Sequence, residues 1–200
     1  RPDIVIIVAY GVYIPSYFLE YPKYGCLNIH FSLLPKYRGA SPVARAIMDN
    51  QKKTGVTIMN IAKEMDTGDI VSQKELNIEE NDTTESLTKK LTIEGTKLLL
   101  ETIPKYINGK IKAISQNSMD IQATYAKKIS SSEKYIDWNE SAVSINNKIR
   151  GLYPWPCAES KISGITLKLI QSRVKDNTDV NIEKFSNGTV INLDKKQGVI

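Results

Sequence analysis

The sequence is poor in the residues from which metal centres and disulfide frameworks are built. His30 is the one histidine in 200 residues, so a cluster of imidazole ligands is excluded and no metal site is expected. The two cysteines, Cys26 and Cys157, show no C-x-x-C spacing. That argues against a disulfide framework or a zinc knuckle and suits a reducing compartment; the cytoplasm is expected, with an organelle as the alternative. No apolar run approaches the roughly 20 residues needed to cross a bilayer, and no signal peptide is visible, so no membrane partner is expected. Internal repeats and low-complexity segments are also lacking. The chain opens Arg1-Pro2-Asp3, without methionine and straight into an apolar run, and the natural N-terminus is expected to lie upstream.

What is present is ordinary globular composition, 41% hydrophobic and 24% charged. The net charge of +5 permits a polyanionic partner such as RNA. On charge alone, a lysine-rich solvated surface is the simpler account.

Residues 3–9 form a short apolar run rich in β-branched side chains, which reads as a strand buried on both faces of a parallel sheet. Tyr10-Gly11 breaks it at the carboxyl end, where open α/β sheets bind ligands. Further strands are expected over residues 26–30, 55–61 and 70–74, with a helix over 42–50 that has Pro42 in its first turn. Asp82-Thr83-Thr84-Glu85 reads as a capping box. Leu87, Leu91, Leu98 and Thr102 then recur at helical spacing, and Asn108-Gly109 is a natural stop. Strands and helices therefore alternate up to about residue 109, the pattern of an α/β unit.

Residues 110–127 show no strong period and read as a linker. A second unit is expected over 128–200, opening with a helix whose Ala142, Ile145, Ile149 and Leu152 share a face. Short strands over 165–170, 188–193 and 198–200, separated by Gly, Asn and Asp turns, predict a small β-barrel cut short at its end.

Asn28-Ile29-His30 is the chemical focus. Side chains at i and i+2 of a strand share a face, so Asn28 and His30 point together. An amide donor beside an imidazole can hold a carbonyl oxygen as charge builds on it, and the imidazole can move protons near neutral pH. An isolated N-x-H is more often a strand-end pair that satisfies nearby backbone. The segment Ser32-Leu33-Leu34-Pro35-Lys36-Tyr37-Arg38-Gly39 follows as a shaped loop, and Lys36 and Arg38 at its tip are candidates for phosphate contacts or plain solvated cations. Asp66-Thr67-Gly68-Asp69 occupies a turn, where Asp and Gly suit the backbone. Brought near His30, Asp66 would orient the imidazole.

In combination these motifs, followed by Thr54-Gly55-Val56-Thr57-Ile58-Met59, resemble the folate-dependent formyltransferases. Val8-Ala9-Tyr10-Gly11, Gly39-Ala40-Ser41-Pro42, Ile136-Asp137-Trp138 and Gly151-Leu152-Tyr153-Pro154-Trp155-Pro156 extend the likeness to the branch acting on methionyl-tRNA. The resemblance implies a partial Rossmann-like formyltransferase domain over 1–109, its N-terminal part missing. A truncated OB-like, tRNA-binding β-barrel over 128–200 would follow. It implies catalytic roles for Asn28, His30 and Asp66. Contacts to 10-formyltetrahydrofolate would come from Ser32, Leu33, Leu34 and Pro35, with Val8 and Tyr10 on the pterin side. No metal is implied. The expected reaction transfers the formyl group to methionyl-initiator tRNA, met at its acceptor end by a monomer, for translation initiation. Competing readings are a nucleotide-amino-sugar N-formyltransferase and a non-catalytic folate- or RNA-binding fragment. Phe31 stands where the family more usually has a small residue and is expected to narrow the folate side of the pocket.

Overall fold

Apolar alternation decides which face of the main sheet is covered. In strand β2 (Cys26–His30), Leu27 and Ile29 alternate with Asn28 and His30. In strand β3 (Lys53–Asn60), Val56 and Ile58 alternate with Thr57 and Met59. The computed structural model describes residues 1–12, 14–175 and 185–192. In it, Leu27, Val56 and Ile58 are fully buried with Leu87 and Leu91 of helix α3 (Thr84–Ile107), and Ile29 packs against the same cluster. Each fully buried aliphatic side chain of this kind contributes about 1.5–3 kcal/mol relative to exposure. Gly95 lets α3 approach closely, since a Cβ there would meet Val56 and Ile29 at 3.1 and 3.2 Å.

The four-stranded sheet has the order β1-β2-β3-β4, with β1 at Val5–Val8 and β4 at Ile70–Asn77. Only the β1–β2 pair is parallel; β2–β3 and β3–β4 are antiparallel. The fold is therefore α/β with a mixed sheet. The connection over residues 61–69 is too short for the crossover that a parallel pair requires. The expectation that the first strand is buried on both faces is corrected. Among the described residues β1 is an edge strand paired with β2 alone, and Val8 is 48% exposed.

Helix α1 (Ser16–Leu19) is a single turn, and helix α2 (Pro42–Met48) begins on Pro42 as expected. The capping box of α3 is displaced by one residue from its expected place. Thr83 accepts from the Ser86 N–H, and the Ser86 hydroxyl accepts from the Thr83 N–H. Leu87, Leu91 and Thr102 are buried as their spacing predicts, and Gly109 follows the helix with φ 68°.

Residues 110–127 do not behave as a free tether. Ile114 bridges Ile70 through reciprocal 2.8 Å backbone bonds. The Arg38 N–H donates to the Thr124 carbonyl at 2.9 Å, and the Ala126 N–H donates to the Arg38 carbonyl at 2.7 Å. The segment is a strap across the 32–39 loop. It carries too little apolar periodicity to be recognised because its bonds are mostly backbone ones.

Helix α4 (Ala142–Leu152) buries Ile149 and Leu152 as expected, whereas Ala142 is exposed, beyond the reach of the face that docks. It sits against α2, where a Cβ at Gly151 would lie 2.6 Å from Met48. Strands β5 (Ala158–Ile162) and β6 (Ile165–Leu169) form an antiparallel hairpin turned by Ser163 and Gly164, both at positive φ. The strand expected over 188–193 is not present in residues 188–192, which have no strand partner among the described residues. The strand expected over 198–200 lies outside the described residues. Among its described residues the second unit thus shows one hairpin.

Candidate active site

Because α3 covers the Leu27/Ile29 face, Asn28 and His30 are turned to the opposite one. Their partners across the ladder are Met59 and Thr57. The Asn28 side-chain amide has no hydrogen-bond partner among the described residues, whereas His30 is 6% exposed and held on two sides. Its Nε2 faces the Tyr37 carbonyl oxygen at 2.9 Å, and its Nδ1 faces Asp66 Oδ2 at 3.7 Å. The Nε2 contact is a hydrogen bond, and the 3.7 Å approach of Asp66 is an electrostatic one beyond hydrogen-bond reach. Of the three residues expected to be catalytic, Asn28 and His30 thus share one face of β2, and Asp66 approaches His30.

Asp66 is delivered by a tight turn. Its own φ is 54°, and Gly68 lies so close to the Asn60 carbonyl that a Cβ would stand 1.7 Å from that oxygen. Only glycine fits there. Asp66 Oδ2 accepts the Gly39 N–H at 2.7 Å, which ties the turn to the end of the 32–39 loop.

That loop is shaped from beneath by one hydroxyl. Thr57 Oγ1 donates to the Ser32 carbonyl at 2.7 Å and accepts from the Leu34 N–H at 3.2 Å and Gln73 Nε2 at 2.8 Å. Ser32 and Leu34 are each 1% exposed, and Pro35 is fully buried behind them. Leu33 lies over Gly55, where a Cβ would meet it at 2.4 Å. The four residues expected to contact folate therefore set the loop's shape, with most of their side chains turned inward.

Two expectations at the loop change. Arg38 is not a surface cation: it is 8% exposed, and its Nε and Nη2 donate to Gln116 Oε1 at 3.0 and 2.7 Å. Strap pairing on both backbone groups of residue 38 turns the side chain inward. Lys36 remains exposed. Phe31 packs against the main core, on the side of the sheet away from His30, so it does not narrow this face. The Tyr37 phenol bonds Asp49 at 2.9 Å; burial first, then that carboxylate, push its pKa upward.

Gln116 went unrecognised in the sequence. An isolated amide in an aperiodic segment carries no signal. Val8 and Tyr10 line an apolar groove of about 420 Å³ between β1 and α1. A larger concavity of about 520 Å³, lined by Cys26, Asn60 and Tyr106 among others, lies at the opposite end of β2 from His30. It is remote from His30 and Asp66, so cavity size does not single out the face that carries them. No cluster of potential metal ligands occurs among the described residues, and no helix among them is long and apolar enough to cross a membrane.

The family model for formyl transferases matches residues 1–103 of this chain, more than half of it. The chain belongs to the formyl transferase family. A model for the C-terminal domain of formyl transferases matches residues 128–200. This formyl transferase is 40% identical over 200 residues to a methionyl-tRNA formyltransferase of Bacillus mycoides, covering 100% of this chain and 62% of that protein. It is 44% identical over 169 residues to one of Bacillus velezensis, covering 84% of this chain and 53% of that protein. The chain thus spans less than two thirds of the length of these curated relatives. Among solved structures it resembles the N-formyltransferase of Helicobacter canadensis in complex with folinic acid and dTDP-3-aminofucose. That match has a TM-score of 0.65 and 28% identity, over 76% of this chain and 55% of that one. The formyltransferase PseJ of Anoxybacillus kamchatkensis, bound to a UDP-formamido sugar and tetrahydrofolate, matches with a TM-score of 0.55 and 34% identity. That likeness covers 62% of this chain and 64% of that one.

Proposed function

We propose that the full-length protein transfers the formyl group of 10-formyltetrahydrofolate to the amino group of methionyl-initiator tRNA. The observation that carries this reading is Asn28, with its unpaired amide, on the same sheet face as the His30–Asp66 pair at 3.7 Å. The acceptor is supported by the relatives at 40% and 44% identity named methionyl-tRNA formyltransferase. The folate donor is supported by solved relatives that hold folinic acid or tetrahydrofolate.

In this mechanism the methionyl amine attacks the formyl carbon, a new C–N bond forms, and negative charge collects on the former carbonyl oxygen. Asn28 donates to that oxygen, while His30, oriented by Asp66, supplies positive charge nearby. Asp66 accepts the amine proton, through water where needed, and the folate nitrogen takes up a proton as its bond to carbon breaks. No covalent enzyme intermediate is required. The 32–35 loop forms the folate wall by its backbone and Leu33, with Val8 and Tyr10 on the pterin side. Residues 1–109 are the catalytic domain and 110–127 join it to an OB-like, tRNA-binding domain over 128–200. The enzyme acts in the cytoplasm, as a monomer, on the tRNA acceptor end.

The test supplies the full-length protein with 10-formyltetrahydrofolate and methionyl-initiator tRNA beside an Asp66→Asn variant. Formyl-methionine should form with the wild type, and turnover should fall by at least about 100-fold in the variant while folate binding persists. Near-normal turnover in the variant would remove Asp66 from the mechanism. Transfer to nucleotide-linked amino sugars and not to tRNA would replace the acceptor, an alternative suggested by the nucleotide sugars bound in the solved relatives.

A further inference from the structure

Three consecutive residues join the two halves of the site. The Tyr37 carbonyl faces His30 Nε2, the Arg38 guanidinium holds Gln116, and the Gly39 N–H holds the Asp66 carboxylate. Gln116, 3% exposed, closes the circuit from the other side. Its Nε2 donates to the Asp66 carbonyl at 2.9 Å and to the Gly68 carbonyl at 2.8 Å, while its Oε1 accepts from both Arg38 nitrogens. All of its donor and acceptor capacity is used.

A buried amide that merely satisfied stray carbonyls would not need a cation behind it. Here the two carbonyls flank Thr67, whose N–H and hydroxyl bond only back to the Glu64 carbonyl, at 3.5 and 3.0 Å, and leave the Asp66 and Gly68 carbonyls to Gln116. Asp66 sits in the left-handed region at φ 54°, which aspartate tolerates better than most residues with a side chain but at some cost. An amide anchored to a charged donor bonds more strongly than one in a neutral pair. Anchored by Arg38, Gln116 grips the turn on both sides of Thr67 and so sets where the Asp66 carboxylate stands relative to His30.

We infer that Gln116, backed by Arg38, is a positioning residue for Asp66. This rests on the reading of Asp66 as catalytic. Catalytic geometry tolerates displacements of well under 1 Å, so releasing the turn should lower turnover more than it affects folate binding.

The experiment uses the full-length protein with Gln116→Met, which removes all four bonds at similar volume, and Arg38→Lys, which keeps the charge but loses the forked contact. Turnover of Gln116→Met should fall by about ten-fold or more, with the KM for 10-formyltetrahydrofolate held within about two-fold. In single-turnover assays the same substitution should cost almost nothing further in an Asp66→Asn background. Hydrogen exchange at the Gly39 amide should quicken in both single variants, a readout that needs no activity. Arg38→Lys serves the same tests if Gln116→Met does not fold. Wild-type turnover in a folded variant, or a loss that multiplies fully in the Asp66→Asn background, would overturn the inference. If the wild type transfers no formyl group, the functional reading falls, and unchanged Gly39 exchange in the variants would then overturn the positioning as well.

Discussion

Thr54 and Thr57 are neighbours on β3 with opposite fortunes. The Thr57 hydroxyl makes three bonds that hold the 32–35 loop, so its polarity has a structural use. Thr54 is 4% exposed, and its hydroxyl has no hydrogen-bond partner among the described residues. A buried unsatisfied hydroxyl costs about 1–3 kcal/mol. Thr54→Val keeps the shape and removes that cost, so the denaturant midpoint should rise, by about 1 kcal/mol in unfolding free energy. A lower midpoint in urea titration would mean the hydroxyl is satisfied in solution. At this scale the sequence identified Asn28, His30 and Asp66 as a candidate set. It misplaced Arg38, whose inward turn depends on a strap far along the chain.

The long helix α3 packs on one face of the sheet, chiefly over β3 and β4, and its first turn sets where that cover begins. Thr83 and Ser86 satisfy each other's backbone N–H groups, and Asp82 accepts from the Ser86 hydroxyl at 2.7 Å. Removing the cap leaves an orphan N–H at a part-buried site. Thr83→Ala should therefore destabilise the protein by about 1 kcal/mol, read as a shift in thermal or chemical unfolding, with folate binding unchanged. The helix was legible because its apolar period and stop signal are local. Its N-cap was off by one because Asp82 and Thr83 both suit the position, and only the fold's packing chooses between them.

Across the whole molecule, α2 is the shared surface between the sheet and the α4 unit. Arg45 of α2 reaches Glu133 beyond the strap, with Nη2 donating to Oε1 at 3.0 Å. That bond to Arg45, outweighing burial, holds Glu133 well below the ordinary 4.5, at about 2. A carboxylate depressed on folding stabilises the protein above its unfolded value, and this contribution disappears as pH falls through the folded one. Wild-type stability should accordingly decline between about pH 4.5 and 2, and Glu133→Gln should flatten that decline. The pair is partly exposed, at 19% and 30%, so added salt should shrink the difference. An identical acid slope in the variant would show that the Arg45 contact does not set this part of the acid stability.

What the sequence by itself determined is what short-range geometry dictates. The alternation in β2 put Asn28 and His30 on one face, Pro42 opened α2, and the motif order revealed the family. Only the tertiary structure decided which neighbours those residues meet. The mixed strand order, the 3.7 Å approach of Asp66 to His30, and the grip of Gln116 on the Asp66 turn all join distant segments. Such approaches arise because buried carbonyls and amides must find partners wherever the folded chain offers them, and no local periodicity records that choice.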